Sequence, residues 1–382
     1  MNILGFPVRC KSPAVIDGEV QVSLYSSVDT FRTALRRHSR MRIILHGGAG
    51  GIPGEPEPRQ AVLDDAADAG ASEPDPLSAV ETAVRVLESD HRFNAGVGGA
   101  VQSDGVVRTD AGVMLSDRRA GAASGMEGVE HAVSVARAVL EDTPHVLLTG
   151  EPAVDFAADA GVETGVDLFT DETRERWANA DAPEGSPSEH LAWLADRFGG
   201  STSDPTAEAG DGYLPAHDSS EETSAGSGRS AHDVRLPGHD NSEGTSASSD
   251  RSAHDVRLPG HDTVGAVATD GETFASATST GGRWFALAGR VGDVPQIGSG
   301  FYASPAGGAS TTGAGEDIAR VTLARRAVGH LERGCDAQTA ADLAIEEFGE
   351  LTGSSAGIIL LDDEGFGSAY NSDGMQTSTA SK

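Results

Sequence analysis

Apolar residues along this chain recur with two different periods. Met41-Arg42-Ile43-Ile44-Leu45-His46 is a short, nearly continuous apolar run that predicts a buried strand. Val106 to Met114, His145 to Leu148, Thr263 to Ala268 and Ile358 to Leu361 carry the same signature. Between these runs the spacing becomes helical. Val80, Ala83, Val84 and Leu87 follow Asp75-Pro76, a helix-start signal. Val129, Val133, Ala136 and Leu140 repeat the pattern, as do Ile318, Val321, Val328 and Leu331, and then Leu343 to Phe348. From Met41 onward, strands and amphipathic helices therefore alternate.

Two segments break the pattern. Residues 1–40 are enriched in basic side chains (Arg9, Lys11, Arg32, Arg36, Arg37, Arg40) and lack the apolar core of a signal peptide. They read as an N-terminal extension outside a domain that begins at Met41. Residues 201–262 turn to Ser, Gly, Asp, Glu, His and Thr. Within them, Arg229 to Asp240 recurs identically as Arg251 to Asp262, 22 residues later. Two copies do not stack into a solenoid, and the His-Asp pairs sit in a strongly polar context. This stretch reads as a duplicated, solvated, disordered linker. It separates residues 41–200 from residues 263–382, two parts of one domain.

Charge narrows the partners. Against 28 basic residues stand 59 acidic ones, a net charge of −31. That balance repels phosphate backbones and anionic lipid surfaces, so neither nucleic acid nor membrane is expected as a partner. No apolar run reaches the length that spans a bilayer. Lys11 and Lys382 are the two lysines, and the remaining basic residues are arginine. An acidic, lysine-poor surface fits a salt-adapted cytoplasmic protein, because molar salt screens its self-repulsion. Cys10 and Cys335 are too few for a disulfide framework.

Candidate chemistry concentrates where the linker stops. Thr263 opens an apolar strand immediately after Asp262. As a β-branched residue it suits a strand start without any further role. Were the backbone cut before it, one residue would carry both a hydroxyl nucleophile and an α-amine of pKa about 7.7–8.0 to act as its base. Thr278-Ser279-Thr280-Gly281-Gly282, Gly289-Arg290-Val291-Gly292-Asp293 and Thr312-Gly313-Ala314-Gly315-Glu316 follow. Taken alone, Arg290 suits a surface ion pair, Asp293 a turn and Thr312-Gly313 the start of a helix near Glu316. His46-Gly47-Gly48-Ala49-Gly50-Gly51 looks like a phosphate loop but lacks the Gly-Lys-Ser/Thr ending, which argues against nucleotide binding.

Together with Phe93-Asn94-Ala95-Gly96-Val97-Gly98, these segments stand in the order found in the plant-type L-asparaginase/isoaspartyl peptidase family, which the chain resembles over 41 to about 200 and 263 to about 376. The resemblance implies an α+β, four-layer αββα sandwich of the Ntn-hydrolase fold, with two antiparallel sheets between outer helices. It implies self-cleavage of the Asp262–Thr263 bond, giving fragments of 262 and 120 residues, and a dimer of αβ units. Because the first repeat ends His239-Asp240-Asn241 with no threonine, only the second copy is expected to cut.

By the same resemblance, Thr263 is the nucleophile and Thr280 the threonine that tunes it. Thr312 and Gly313 form the oxyanion hole. Arg290 grips the substrate α-carboxylate, Asp293 takes the α-ammonium group, and Asn94 lines the site. The glycine run after His46 is implied to be a loop beside the nucleophile. Leu87, Glu88, Asp90, Phe93, Ala95 and Val97 resemble a loop that holds a structural sodium ion through backbone carbonyls; no other cofactor is implied. The implied substrates are the small molecules L-asparagine and β-aspartyl dipeptides. The alternatives are a glycosylasparaginase, disfavoured by Thr280-Gly281-Gly282, and a non-catalytic salt-adapted binding protein. Arg283 to Ala288 and Val294 depart from the family pattern near the expected substrate entrance.

Overall fold

A computed structural model describes residues 41–198 and 263–382. The expected extension, linker and scissile Asp262 lie outside the described residues. Among the described residues, eleven strands form two sheets. The first has seven strands in the order β11 (Gly374–Ser381), β1 (Arg42–Gly50), β5 (Val264–Thr269), β6 (Phe274–Thr280), β2 (Arg108–Leu115), β3 (Ala120–Glu127) and β4 (Leu147–Thr149). The second runs β10 (Phe366–Tyr370), β9 (Ala356–Leu361), β8 (Gly307–Gly313) and β7 (Phe301–Ser304). The fold is mixed α+β, with two sheets flanked by helices. One pairing differs from the all-antiparallel expectation: β4 lies parallel to β3. The chain reaches β4 only after helix α3 (Ala132–Asp142), the crossover that a parallel neighbour requires.

Side-chain alternation sorts the layers. Ile43 and Leu45 on β1, Ala266 and Ala268 on β5, and Ala275 and Ala277 on β6 face one core with helices α1 (Pro56–Gly70), α2 (Pro76–Glu88) and α3. Ile358 and Leu360 on β9 face a second core with α8 (Leu323–Glu332) and α9 (Ala337–Thr352). The intervening residues Ile44, Met114, Val267, Phe274, Phe301, Ile359 and Leu361 meet between the sheets. Helices start where the side chains satisfy their first N–H groups: Asp75 caps α2 through Ser78 N, and Asp336 caps α9 through Thr339 N. The helical spacing expected through Ile318 to Leu331 is split. Thr322 adopts φ 53°, separating α7 (Gly315–Val321) from α8. Val129 precedes α3, and its carbonyl accepts the Thr109 hydroxyl at 2.9 Å. Among the described residues no helix is long and apolar enough to cross a membrane.

The inter-sheet layer changes character along its length. At one end it is apolar. At the other, the same faces of the same strands carry His46 on β1, Asp110 on β2, Thr278 and Thr280 on β6, and Ser310 and Thr312 on β8, all buried. Thr263 precedes β5 on the face shared by Gly265 and Val267 and is 6% exposed.

Candidate active site

The hydroxyl-bearing end of this layer opens to a small cleft lined by Thr263, Thr280, Gly282, Arg283, Arg290, Gly292, Asp293, Val294, Gly313 and Gly315. Thr263 and Thr280 lie side by side because β5 and β6 are in register one step beyond the Val264–Ser279 pair. Thr263 Oγ1 donates to Thr280 Oγ1 at 3.3 Å. Thr280 Oγ1 in turn donates to the Asn94 carbonyl at 3.5 Å and accepts from Gly282 N at 3.2 Å. The nucleophile candidate thus heads a directed row of hydrogen bonds ending on backbone.

Asn94 is used up as a brace. Its Nδ2 donates to the Gly282 carbonyl at 2.7 Å, its Oδ1 accepts from Ala100 N at 2.8 Å, and its carbonyl accepts from Gly281 N at 2.7 Å. It holds the turn after Thr280 and does not itself line the cleft.

The glycine run after His46 is strand, not loop. It forms the end of β1, with a bulge between His46 and Ala49 and Gly48 at φ 116°. Buried Arg59 donates to the Gly47 carbonyl, and Ala49 N donates to Thr312 Oγ1 at 3.3 Å. Thr312 ends β8 beside Gly313, whose φ of 132° belongs to glycine. His46 Nε2 shares a 2.9 Å hydrogen bond with Ser310 Oγ, which bonds Thr278 Oγ1 at 2.6 Å; Thr278 also donates to the Gly300 carbonyl at 2.8 Å. Gly265 makes room for that row: a Cβ there would sit 1.9 Å from Ser310 Oγ. Burial pushes the His46 imidazole down to about 3, against a backbone contact to Thr263, so the ring is neutral.

Arg290 and Asp293 enter from the segment after β6. Arg290 Nε donates to Glu316 Oε1 at 2.8 Å, and Nη2 reaches the same oxygen at 2.8 Å. Burial opposes the Arg290 charge, but Glu316, Asp293 and Asp110 together hold its pKa above the ordinary value. Gly292 and Gly315 are steric requirements. A Cβ at Gly292 would lie 2.9 Å from Arg290 Nη1, and one at Gly315 would lie 2.7 Å from Asp293 Oδ1. The turn role considered for Asp293 is present in its backbone, whose carbonyl accepts Gln296 N and Gly300 N. Its carboxyl, 5% exposed, faces Thr311 Oγ1 at 3.4 Å, and burial pushes its pKa up to about 7 despite the Arg290 charge.

Three residues of this region had no role in the sequence reading. Asp110 is opposite Thr280 in the β2–β6 register, accepts from Gly125 N at 2.7 Å, and is raised by burial to about 6. Its sequence signal is a lone acid inside the apolar run Val106 to Met114. Glu316 belongs to a quoted motif, but its pairing with Arg290 spans 26 residues. Arg283 reaches Glu316 Oε2 at 3.5 Å. The neighbouring apolar residues do not face the cleft. Phe285 is buried among Trp177, Trp193 and Trp284, and His190 Nε2 bonds the Phe285 carbonyl at 2.8 Å. The departure at 284–285 is thus a packing feature that ties α5 (Asp171–Ala178) and α6 (Pro187–Phe198) to the site wall. Val294, 1% exposed, does line the cleft.

In the segment after α2, the carbonyls of Leu87, Glu88 and Asp90 accept Asp90 N, Val97 N and Phe93 N. Those of Phe93, Ala95 and Val97 accept no backbone N–H among the described residues. Such oxygens suit a hard cation. Among the described residues there is no group of three or more His, Cys, Asp or Glu side chains able to hold a metal ion.

A family model described as Asparaginase matches residues 39–382. A plant-type L-asparaginase of Pyrococcus abyssi is 36% identical over 338 residues, covering 85% of this chain and 90% of that protein. An isoaspartyl peptidase/L-asparaginase of Rattus norvegicus is 33% identical over 294 residues, covering 76% of this chain and 68% of its own. One of Xenopus laevis is 32% identical over 336 residues, covering 85% and 86%. With a family model matching residues 39–382 and relatives above 30% identity over more than two thirds of its length, the chain belongs to the plant-type L-asparaginase/isoaspartyl peptidase family of hydrolases.

Proposed function

We propose that this protein cleaves itself before Thr263 and then hydrolyses L-asparagine, and β-aspartyl dipeptides, through an acyl-enzyme on Thr263. The observation that carries the reading is the Thr263–Thr280 hydroxyl pair at the floor of a cleft whose walls hold two guanidiniums, Arg283 and Arg290, and one carboxyl, Asp293. In the maturation step the Thr263 hydroxyl attacks the carbonyl of Asp262, the Asp262–Thr263 C–N bond breaks as its nitrogen takes the hydroxyl proton, and water hydrolyses the resulting ester. The freed α-amine then sits on the same residue as the hydroxyl and takes its proton during the second attack. That attack falls on the substrate's side-chain carbonyl. Ammonia, or the amine of the second residue, leaves with the proton, and water releases aspartate from the ester.

The other roles follow from charge and placement. Arg290 offers a planar fork for an α-carboxylate. Asp293, once ionised, accepts the α-ammonium group. Gly313 N–H and the Thr312 hydroxyl stabilise the oxyanion as it develops. Thr280 orients the nucleophile, and Asn94 braces the Thr280–Gly282 turn. The carbonyls of Phe93, Ala95 and Val97, with those of Leu87, Glu88 and Asp90 beside them, would hold a structural sodium ion that supplies only rigidity. Two facing sheets with helices outside support the four-layer αββα arrangement, and the acidic surface supports work at high salt.

A hydrolysis assay at high salt tests the reading. Aspartate should be released from asparagine and from β-aspartyl dipeptides. Turnover of a sugar-linked asparagine alone would overturn it in favour of a glycosylasparaginase.

A further inference from the structure

Glu316 is held from both sides. Its Oε1 straddles Nε and Nη2 of Arg290, and its Oε2 faces Arg283 Nη1 at 3.5 Å. That contact occupies one edge of the Arg290 fork, so the remaining Nη1–Nη2 end lies against Gly292 and Gly315 at the cleft. Both glycines lack the Cβ that would block it. An α-carboxylate arriving there would bring a second negative charge to Arg290, which already carries Glu316. A second cation beside Glu316 balances that pair of carboxylates.

Arg283 is placed to be this cation by backbone on both sides. The Gly282 carbonyl is fixed by Asn94 Nδ2, and Phe285, at φ 60°, is buried in the aromatic cluster with its N–H on the Val101 carbonyl at 2.9 Å. The Arg283 side chain itself is 24% exposed and lines the cleft. We propose that Arg283 is a positioning residue for substrate recognition: by holding the outer oxygen of Glu316, it keeps the inner oxygen on Arg290 and the free end of that guanidinium aimed at the substrate's α-carboxylate. This role rests on the proposed activity and deepens it.

Because Arg283 acts through Glu316, its effect falls on binding and not on the chemical step. An ion pair at this degree of exposure is worth up to about fivefold in an equilibrium. In mature Arg283→Met, KM should rise about fivefold for asparagine and for a β-aspartyl dipeptide alike, with kcat within about twofold. Arg283→Lys should recover most of the loss. Glu316→Gln should raise KM by itself, and adding Arg283→Met to it should change KM no further, the signature of a residue that works through its partner. Calorimetric binding of aspartate to the same variants should weaken in parallel, independently of turnover.

A rise in KM confined to the dipeptide would overturn the proposal, because Arg283 would then be reading the leaving residue's carboxylate. Additive losses in the double variant, or a fall in kcat at constant KM, would overturn it as well. Weakened aspartate binding in Arg283→Met, with a wild type that turns over neither substrate, would leave this role standing and count against the proposed activity.

Discussion

The two ends of the inter-sheet layer are built on the same strands with the same alternation, yet they do opposite work. At the apolar end Val267, Phe274, Phe301, Ile359 and Leu361 fill the space between the sheets. Four to six residues along, the same faces of β5 and β6 present Thr263, Thr278 and Thr280, joined by His46 on β1 and Ser310 on β8. The apolar end gains from removing surface from water, roughly 25 cal/mol per Å². The hydroxyl end must instead satisfy every buried group, and each one left unpaired costs about 1–3 kcal/mol. It pairs its hydroxyls through short rows that end on backbone carbonyls, Thr263–Thr280–Asn94 and His46–Ser310–Thr278–Gly300, while His46 Nδ1 has no hydrogen-bond partner among the described residues. One end of the layer therefore supplies stability, and the other spends it to hold a nucleophile in fixed geometry.

Substitutions at the two ends should separate these contributions. The largest effect is expected at the hydroxyl end. Thr263→Ala should lower turnover by about 10⁴-fold or more and abolish self-cleavage. The same change should shift the denaturant midpoint by no more than about 1 kcal/mol equivalent, since only a hydroxyl and a methyl group are lost. Leu361→Ala at the apolar end should do the reverse. Chemical denaturation should show a loss of about 2–5 kcal/mol, while kcat per folded molecule stays within about twofold.

Gly265→Ala sharpens the contrast, because it adds one methyl group where Ser310 and His46 meet. Overpacking there should cost about 1–3 kcal/mol and slow self-cleavage, read as the fraction of cut chain over time. A loss of stability with unimpaired cutting would mean that the His46–Ser310 row plays no part in shaping the nucleophile's surroundings.

The last effect is a pH dependence. Asp293 is raised to about 7 from an ordinary value of 3.8, so the folded chain holds its proton over that interval and the unfolded chain does not. Stability from this group falls as pH rises from about 4 to 7. Substrate capture runs the other way, since the α-ammonium group needs the ionised carboxylate. Accordingly kcat/KM should climb until the Thr263 α-amine, of pKa about 7.7–8.0, is free to act as base, with a further limb below about 7 set by Asp293. Asp293→Asn should flatten that limb while lowering its ceiling.

Legibility in the sequence followed the same division. Strands whose two faces are both apolar, such as Ile43 to Leu45 and Ile358 to Leu361, announced themselves, as did α2 with its Asp75-Pro76 start. Gly307–Gly313, Phe366–Tyr370 and Gly374–Ser381 did not, because hydroxyls and glycines replace the apolar residues that make a period visible. Helix α1 was missed for a related reason: Ala66 and Ala67 supply much of its buried face beside Leu63, so its stripe is weak. Within the site, Thr263, Thr280, Arg290, Asp293 and Gly313 could be read from motif order, and they line one cleft. The pairing of Arg283 and Arg290 with Glu316 and the engagement of Asn94 by backbone depend on contacts between distant segments. No local pattern encodes those.

The central claim is that Thr263 becomes an N-terminal nucleophile, and intact-mass measurement on protein incubated at high salt tests it most directly. The account predicts two fragments of 262 and 120 residues, the smaller beginning at Thr263, with Thr263→Ala remaining whole. A wild-type chain that stays uncut at 382 residues while hydrolysing asparagine would contradict it.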